Sequence, residues 1–155
     1  MRRKDREITD RKTIDKILST SLICRVVMMD GGKPYIVPLN YGYHNDALYI
    51  HSAPIGKKIE LLKLNNKVCF EIDVEGDLIK GDMSCDWSIN YRSLIGYGTM
   101  DIITDFDQKQ AGLDVIMKQH GKSENNIYKK SNVEAIVILR LNIEQITGKQ
   151  SGDWE

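Results

Sequence analysis

Residues Gly31–Leu62 read GGKPYIVPLNYGYHNDALYIHSAPIGKKIELL, and the order of runs and breaks within them decides the fold. The turn Asp30-Gly31-Gly32-Lys33 closes an upstream strand, LICRVVMMD (Leu22–Asp30), and opens a second, PYIVPLNYGY (Pro34–Tyr43). Pro38 sits inside that second run. A proline has no N–H to give to a ladder, so this strand is expected at a sheet edge or at a bulge. His44-Asn45-Asp46 then turns the chain into a third strand, ALYIHS (Ala47–Ser52). Past Pro54, the spacing of Ile55, Ile59 and Leu62 predicts a short helix that ends near Asn65-Asn66.

Outward from this stretch, KVCFEIDVEG (Lys67–Gly76) alternates cleanly, with Val68, Phe70, Ile72 and Val74 on one face, as a half-buried strand does. DLIKGDMSCDW (Asp77–Trp87) is polar and irregular and reads as a loop. SINYRSLIGYGTMDIIT (Ser88–Thr104) is a long strand, with a bend expected where Gly96 and Gly98 stand two apart. Asp105 with Gln108 forms a capping-box pattern before a helix that sets Leu113, Ile116 and Met117 on one face. NVEAIVILRLNIEQITGK (Asn132–Lys149) reads as a long apolar strand. Near the start, TDRKTIDKILSTS (Thr9–Ser21) is an amphipathic helix capped by Thr9 or Asp10, with Ile14, Ile17 and Leu18 facing inward. Strands outnumber helices and most joins are hairpin-like. A mostly β chain with flanking helices follows, best built as a small antiparallel barrel. With no internal repeat and no linker, residues 1–155 are expected to form a single domain.

Composition narrows the partners. Lys+Arg and Asp+Glu balance at 22 each and aromatic residues make up only 7%, so no nucleic-acid partner and no anionic membrane surface is expected. No apolar run is long enough to span a bilayer. MRRKDREITD at the start carries basic residues without an apolar stretch behind them, which is not the pattern of a secretory signal. Cys24, Cys69 and Cys85 are odd in number and form no C-x-x-C pair, so they read as free thiols of a cytoplasmic protein rather than as a metal site.

The chemistry gathers at HSAPIGKKIELL (His51–Leu62). Lys57 and Lys58 supply positive charge, and Ser52 supplies a hydroxyl. A helix start supplies free backbone N–H groups, and Gly56 lets an anion approach the backbone closely. These are the needs of a phosphate monoester. By spacing alone the two lysines read first as solvated helix residues, and a lone histidine at a strand end is more often structural than catalytic.

Three pieces taken in order go further. PYIVPLNY (Pro34–Tyr41), HSAPIGKK (His51–Lys58) and YRSLIGYG (Tyr91–Gly98), with the opening MRRKDREI and the closing ITGKQ, resemble the FMN-binding split-barrel proteins. Within the pyridoxamine 5'-phosphate oxidase superfamily they look like the nitroimidazole-resistance branch, from about Arg2 to Gln150. The resemblance implies a six-stranded antiparallel split β-barrel and a homodimer with FMN at its interface. It also implies flavin contacts from Val37, Pro38, Leu39, Asn40 and Tyr41, those of the first four through their backbone. By the same resemblance His51 and Ser52 reach the ribityl-phosphate or the ring, Lys57 and Lys58 hold the phosphate, and Arg92 and Ser93 approach the flavin, commonly from the partner subunit. His51 is the candidate catalytic residue, as a donor of a proton or a hydrogen bond. The implied reaction passes electrons from NAD(P)H to a small-molecule acceptor, nitroaromatic or quinone-like. The sequence has no dinucleotide-binding fingerprint, so a nicotinamide would dock transiently over the flavin. The loop Asp77–Trp87 would border the ring. One departure matters: ITGKQSGDWE has a tryptophan but lacks the arginine that the vitamin-B6 oxidases carry near their end, so oxidation of pyridoxamine phosphate is not expected. A flavin-binding protein without turnover, or a haem- or deazaflavin-binding relative, is the alternative.

Overall fold

The structure, a computed structural model, describes residues 3–122, 124–152 and 154. The chain runs through β1 (Glu7–Ile8), α1 (Arg11–Thr20), β2 (Ile23–Asp30), β3 (Lys33–Asn40), β4 (Gly42–His44) and β5 (Ala47–Ser52). It continues through α2 (Lys57–Leu64), β6 (Lys67–Ile79), β7 (Ser88–Ile103), α3 (Phe106–Gln119), α4 (Lys130–Glu134) and β8 (Val137–Ser151). All strand pairings are antiparallel, in the order β3-β2-β6-β7-β8-β5-β4, with β1 added to β8. β3 approaches β5 without pairing to it, so the sheet curls into a barrel that stays open along one seam.

Alternation explains how the barrel fills. Val26, Met28, Phe70, Ile72, Leu94, Met100, Leu139 and Leu141 point inward and are buried. α1 adds Ile14, Ile17 and Leu18, and α2 adds Ile59, Leu61 and Leu62. Asp10 caps α1, its carboxylate accepting from the N–H groups of Lys12 and Thr13. Asp105 caps α3 by accepting from Gln108 N–H at 3.0 Å. At Gly98 the β7–β8 register shifts by a bulge, and a Cβ there would collide with the carbonyl of Asn142.

Four expectations are corrected. The described residues hold eight strands rather than six, because Glu7–Ile8 and Gly42–His44 are strands too short to carry a pattern. Residues 77–79 belong to β6, and the rest of the expected loop contains a 3₁₀ turn at Ser84–Asp86. The last long run starts as α4 before it extends into β8. The expected strand Pro34–Tyr43 breaks at Tyr41 into β3 and β4, and the Tyr41 ring turns into the core, fully buried. Its hydroxyl donates to the Leu18 carbonyl at 2.8 Å, and Gln119 Nε2 donates to the same carbonyl at 3.0 Å. The side chain therefore locks α1 to the barrel.

Because Gln119 still satisfies Leu18 in its absence, Tyr41→Phe is expected to cost about 1 kcal/mol in urea denaturation.

Candidate functional site

β3 is a true edge strand, as Pro38 demanded. It pairs with β2 on one side, Pro38 standing opposite Arg25. Tyr41 N–H donates to Leu22 O at 3.2 Å, which fixes the alternation: Leu39 and Val37 also turn their backbone groups toward β2. Ile36, Pro38 and Asn40 turn theirs to the open seam. There the edge offers carbonyl oxygens throughout, but N–H donors only at Ile36 and Asn40. Val37 and Leu39, expected as backbone contacts, thus spend those groups in the ladder and offer only half-buried side chains.

The opposite wall of the seam is the end of β5. β4 covers only Ala47–Tyr49, so Ile50, His51 and Ser52 have a ladder to β8 alone. His51 lies opposite Ile138 and Ser52 opposite Val137. Consecutive strand residues face opposite sides. His51 is accordingly exposed, whereas Ser52 is only 5% exposed and its hydroxyl donates to Ala53 O at 3.0 Å. The His-Ser pair therefore does not present two side chains to one surface.

Beyond it, Gly56 takes φ 109°, a conformation that side chains other than glycine's rarely allow, and starts α2 without a side-chain cap. Ile59 N–H is satisfied by Gly56 O at 2.9 Å, while the first N–H groups of the helix, at Lys57 and Lys58, lie ahead of any intrahelical partner. The two lysines differ. Lys57 Nζ is 2.6 Å from Asp30 Oδ2 and 4.7 Å from the centre of the Tyr35 ring, and the Asp30 carboxylate holds its pKa above the usual lysine value. Lys58 is half-buried with no carboxylate partner among the described residues, and burial lowers its pKa. A cation so placed is the one that an anion at the helix start would neutralise. Asp30 and Tyr35, which occupy Lys57, lie twenty or more residues away in sequence; only the position of the turn before β3 hinted at them.

Arg92 and Ser93 lie elsewhere. Along the paired strands, Arg25 is level with Glu71 and Ile95, five residues from Asp30, and Arg92 is three residues further in the other direction. Eight strand residues correspond to roughly 25 Å. Arg92 and Lys58 therefore lie too far apart along the sheet to share one site within the chain. Its guanidinium stacks 4.7 Å from the Trp154 ring and its Nε donates to Gln150 Oε1 at 3.1 Å. Ser93 sits on the outer face of β7, opposite Asp73 and Lys149. That same outer face carries Ile36, Val27, Cys69 and Tyr97 side by side, with Ile95 and the Arg25–Glu71–Asp73 ion cluster in the next rows. Ile36 and Tyr97 are 57% and 55% exposed.

A family model for pyridoxamine 5'-phosphate oxidase matches residues 10–150. The chain belongs to that family, and its open barrel is the family's split barrel. Among solved structures it is similar to a candidate 5-nitroimidazole antibiotic resistance protein from Bacteroides thetaiotaomicron, at 34% identity over 93% of this chain and 86% of that one, TM-score 0.83. A FAD-binding protein from Mesorhizobium loti matches at 25% identity, TM-score 0.70, over 95% of this chain and 98% of that one. A FAD and heme binding protein from Mycobacterium smegmatis shares the fold at 23% identity, TM-score 0.85, over 96% and 75%. Among curated proteins, none matches the chain. No helix among the described residues is long and apolar enough to cross a membrane.

Burial at Lys58 and the Asp30 pair at Lys57 set an order of titration. When the two side-chain resonances are followed by NMR to high pH, Lys58 should lose its proton before Lys57, Lys58 below and Lys57 above the ordinary lysine value. The reverse order would contradict the assignment of the unpaired cation.

Proposed function

We propose that the chain is an FMN-dependent oxidoreductase that works as a homodimer and reduces small nitroaromatic or quinone-like molecules with electrons from NAD(P)H. The observation that carries this reading is the open β3 edge, to which Lys57 ties the start of α2, together with the half-buried ammonium of Lys58, which has no carboxylate partner among the described residues. A flavin supplies hydride acceptance from a reduced nicotinamide and electron delivery to the acceptor. The residues do the rest. The Pro38 carbonyl and the Asn40 N–H, neighbours on the open edge of β3, suit the N3–H donor and an adjacent carbonyl oxygen of a flavin's pyrimidine end, and Ile36 lies further along the same edge. Lys58, with the leading N–H groups of α2, suits a terminal phosphate carrying nearly two charges. His51, exposed at the seam, holds a proton for the acceptor.

The apolar outer face supports the dimer. A soluble chain rarely leaves a contiguous row such as Ile36, Val27, Cys69 and Tyr97 open to water. A second copy on that face would also explain why Arg92 and Ser93 lie so far from Lys58: each would serve the neighbouring copy's flavin. The identity to the Bacteroides protein favours the nitroaromatic class of acceptor.

Three outcomes are expected. Lys58→Met weakens FMN binding by about tenfold or more, whereas Lys57→Met changes it far less. Tyr97→Asp drives the protein to monomer in sedimentation velocity and lowers flavin occupancy with it. In steady-state assays with NADH or NADPH and a nitroimidazole, wild-type protein turns over, and His51→Ala loses about a hundredfold in kcat with its flavin retained. Bound FMN without any turnover would leave a flavin carrier instead.

A further inference from the structure

β6 and β7 outrun the rest of the sheet. β2 pairs with β6 over Arg25–Val27, and β8 follows β7 only as far as Tyr91, opposite Ser151. Beyond Tyr91 the two strands pair with each other alone, Leu78 opposite Ile89 and Ile79 opposite Ser88, and they close through the turn at Ser84–Asp86. Residues 77–89 are therefore a two-stranded arm, a unit that is marginally stable in water when nothing packs on it. Its tip is braced from within: Trp87 Nε1 donates to Gly81 O at 2.9 Å, and the Lys80 ammonium lies 5.9 Å from the centre of the Trp87 ring. Yet Leu78, Met83 and Trp87 are 56%, 65% and 50% exposed, and Ile79 and Ile89 are exposed beside them.

The arm continues the outer face on which a second copy is proposed to sit, because Ile89 falls on the same side of β7 as Tyr91, Ser93, Ile95 and Tyr97. Its level along the strands decides what it meets there. Ile89 lies six residues from Ile95, the level of Arg25, and Asp30 lies five residues the other way. Those eleven residues put the arm roughly 35 Å along the sheet from its own β2–β3 turn. In a homodimer that brings Arg92 of one copy to Lys58 of the other, levels run in opposite senses, and the level of Arg92 meets that of Asp30. Ile89, three residues beyond Arg92, then falls about three residues beyond the neighbour's Asp30, past its Gly31-Gly32 turn. The start of α2 is fastened there by the Lys57–Asp30 pair, and Ile55, two residues before Lys57, is 81% exposed. Charge agrees. Asp77, Asp82 and Asp86 outweigh Lys80 and make the arm acidic. Lys33, at the level of Asp30, and Lys67, one residue from it, are exposed and have no carboxylate partner among the described residues.

We propose that the homodimer exchanges its arms: residues 77–89 of each copy clasp the other across its β2–β3 turn. Leu78, Trp87 and Ile89 pack against Ile55, and the carboxylates of the arm face Lys33 and Lys67. This rests on the homodimer proposed above and adds to it a direction and a second contact, outside the barrel face.

Cys85 is exposed on the arm, so Ile55→Cys supplies a thiol where the neighbour's arm is expected. The full-length variant is oxidised with diamide and its crosslinks are mapped by mass spectrometry, with sedimentation velocity run alongside on the wild type. A disulfide between position 55 and Cys85 is expected, and it must join two chains, because the two positions lie at opposite ends of one chain's sheet. Leu78→Asp, at an exposed position, should raise the dimer dissociation constant about tenfold or more without loss of fold. A dimer that joins Cys85 to Cys85, that forms no crosslink, or that dissociates in Leu78→Asp just as the wild type does would overturn the exchange and leave the homodimer standing. A monomeric wild type would overturn both.

Discussion

The constraint on which the rest depends is an edge that has a partner on one side only. β3 must have one bare flank because the sheet path ends there. Bare edges invite strand addition, and chains blunt them with prolines and charge. Here two of the four residues aimed at the seam, Pro34 and Pro38, lack an N–H, so a continuous donor ladder cannot form. The edge that remains is rich in acceptors, with isolated donors at Ile36 and Asn40. It is a poor template for another strand, and in the function proposed above it is the edge that meets the flavin.

Charge is distributed to match. Two lysines stand side by side at the start of α2, yet the fold gives them different duties. Lys57 is tied to Asp30 and Tyr35 and so fastens the helix start to the β2–β3 turn, bringing the seam's two walls together. Lys58 carries a desolvation cost with no carboxylate among the described residues to offset it. The Arg25–Glu71–Asp73 cluster plays another part, placing polar contacts within the otherwise apolar outer face of the sheet.

Much of this was legible in the sequence. Alternation in Val68–Val74 and the capping residues Asp10 and Asp105 placed β6, α1 and α3 from local rules alone. Pro38 gave the edge, because a missing donor has few places to go. What local rules could not show was direction. The alternation that hands Pro38 and Asn40 to the seam takes Val37 and Leu39 away from it. Neighbouring residues His51 and Ser52 face opposite sides for the same reason. Tyr41 looked like a continuation of the edge strand, and only the position of Leu18 on a distant helix reveals why it turns inward. α4 was hidden because its five residues precede a long apolar run that dominates the pattern.

The most direct measurement is amide hydrogen exchange across β3, with and without FMN at constant protein concentration. Val37 and Leu39, bonded to β2, should exchange slowly in both conditions. Ile36 and Asn40, whose N–H groups face the seam, should exchange readily without the cofactor and become protected on its addition. If FMN binds while Ile36 and Asn40 exchange as before, the flavin sits elsewhere and the open edge has another purpose.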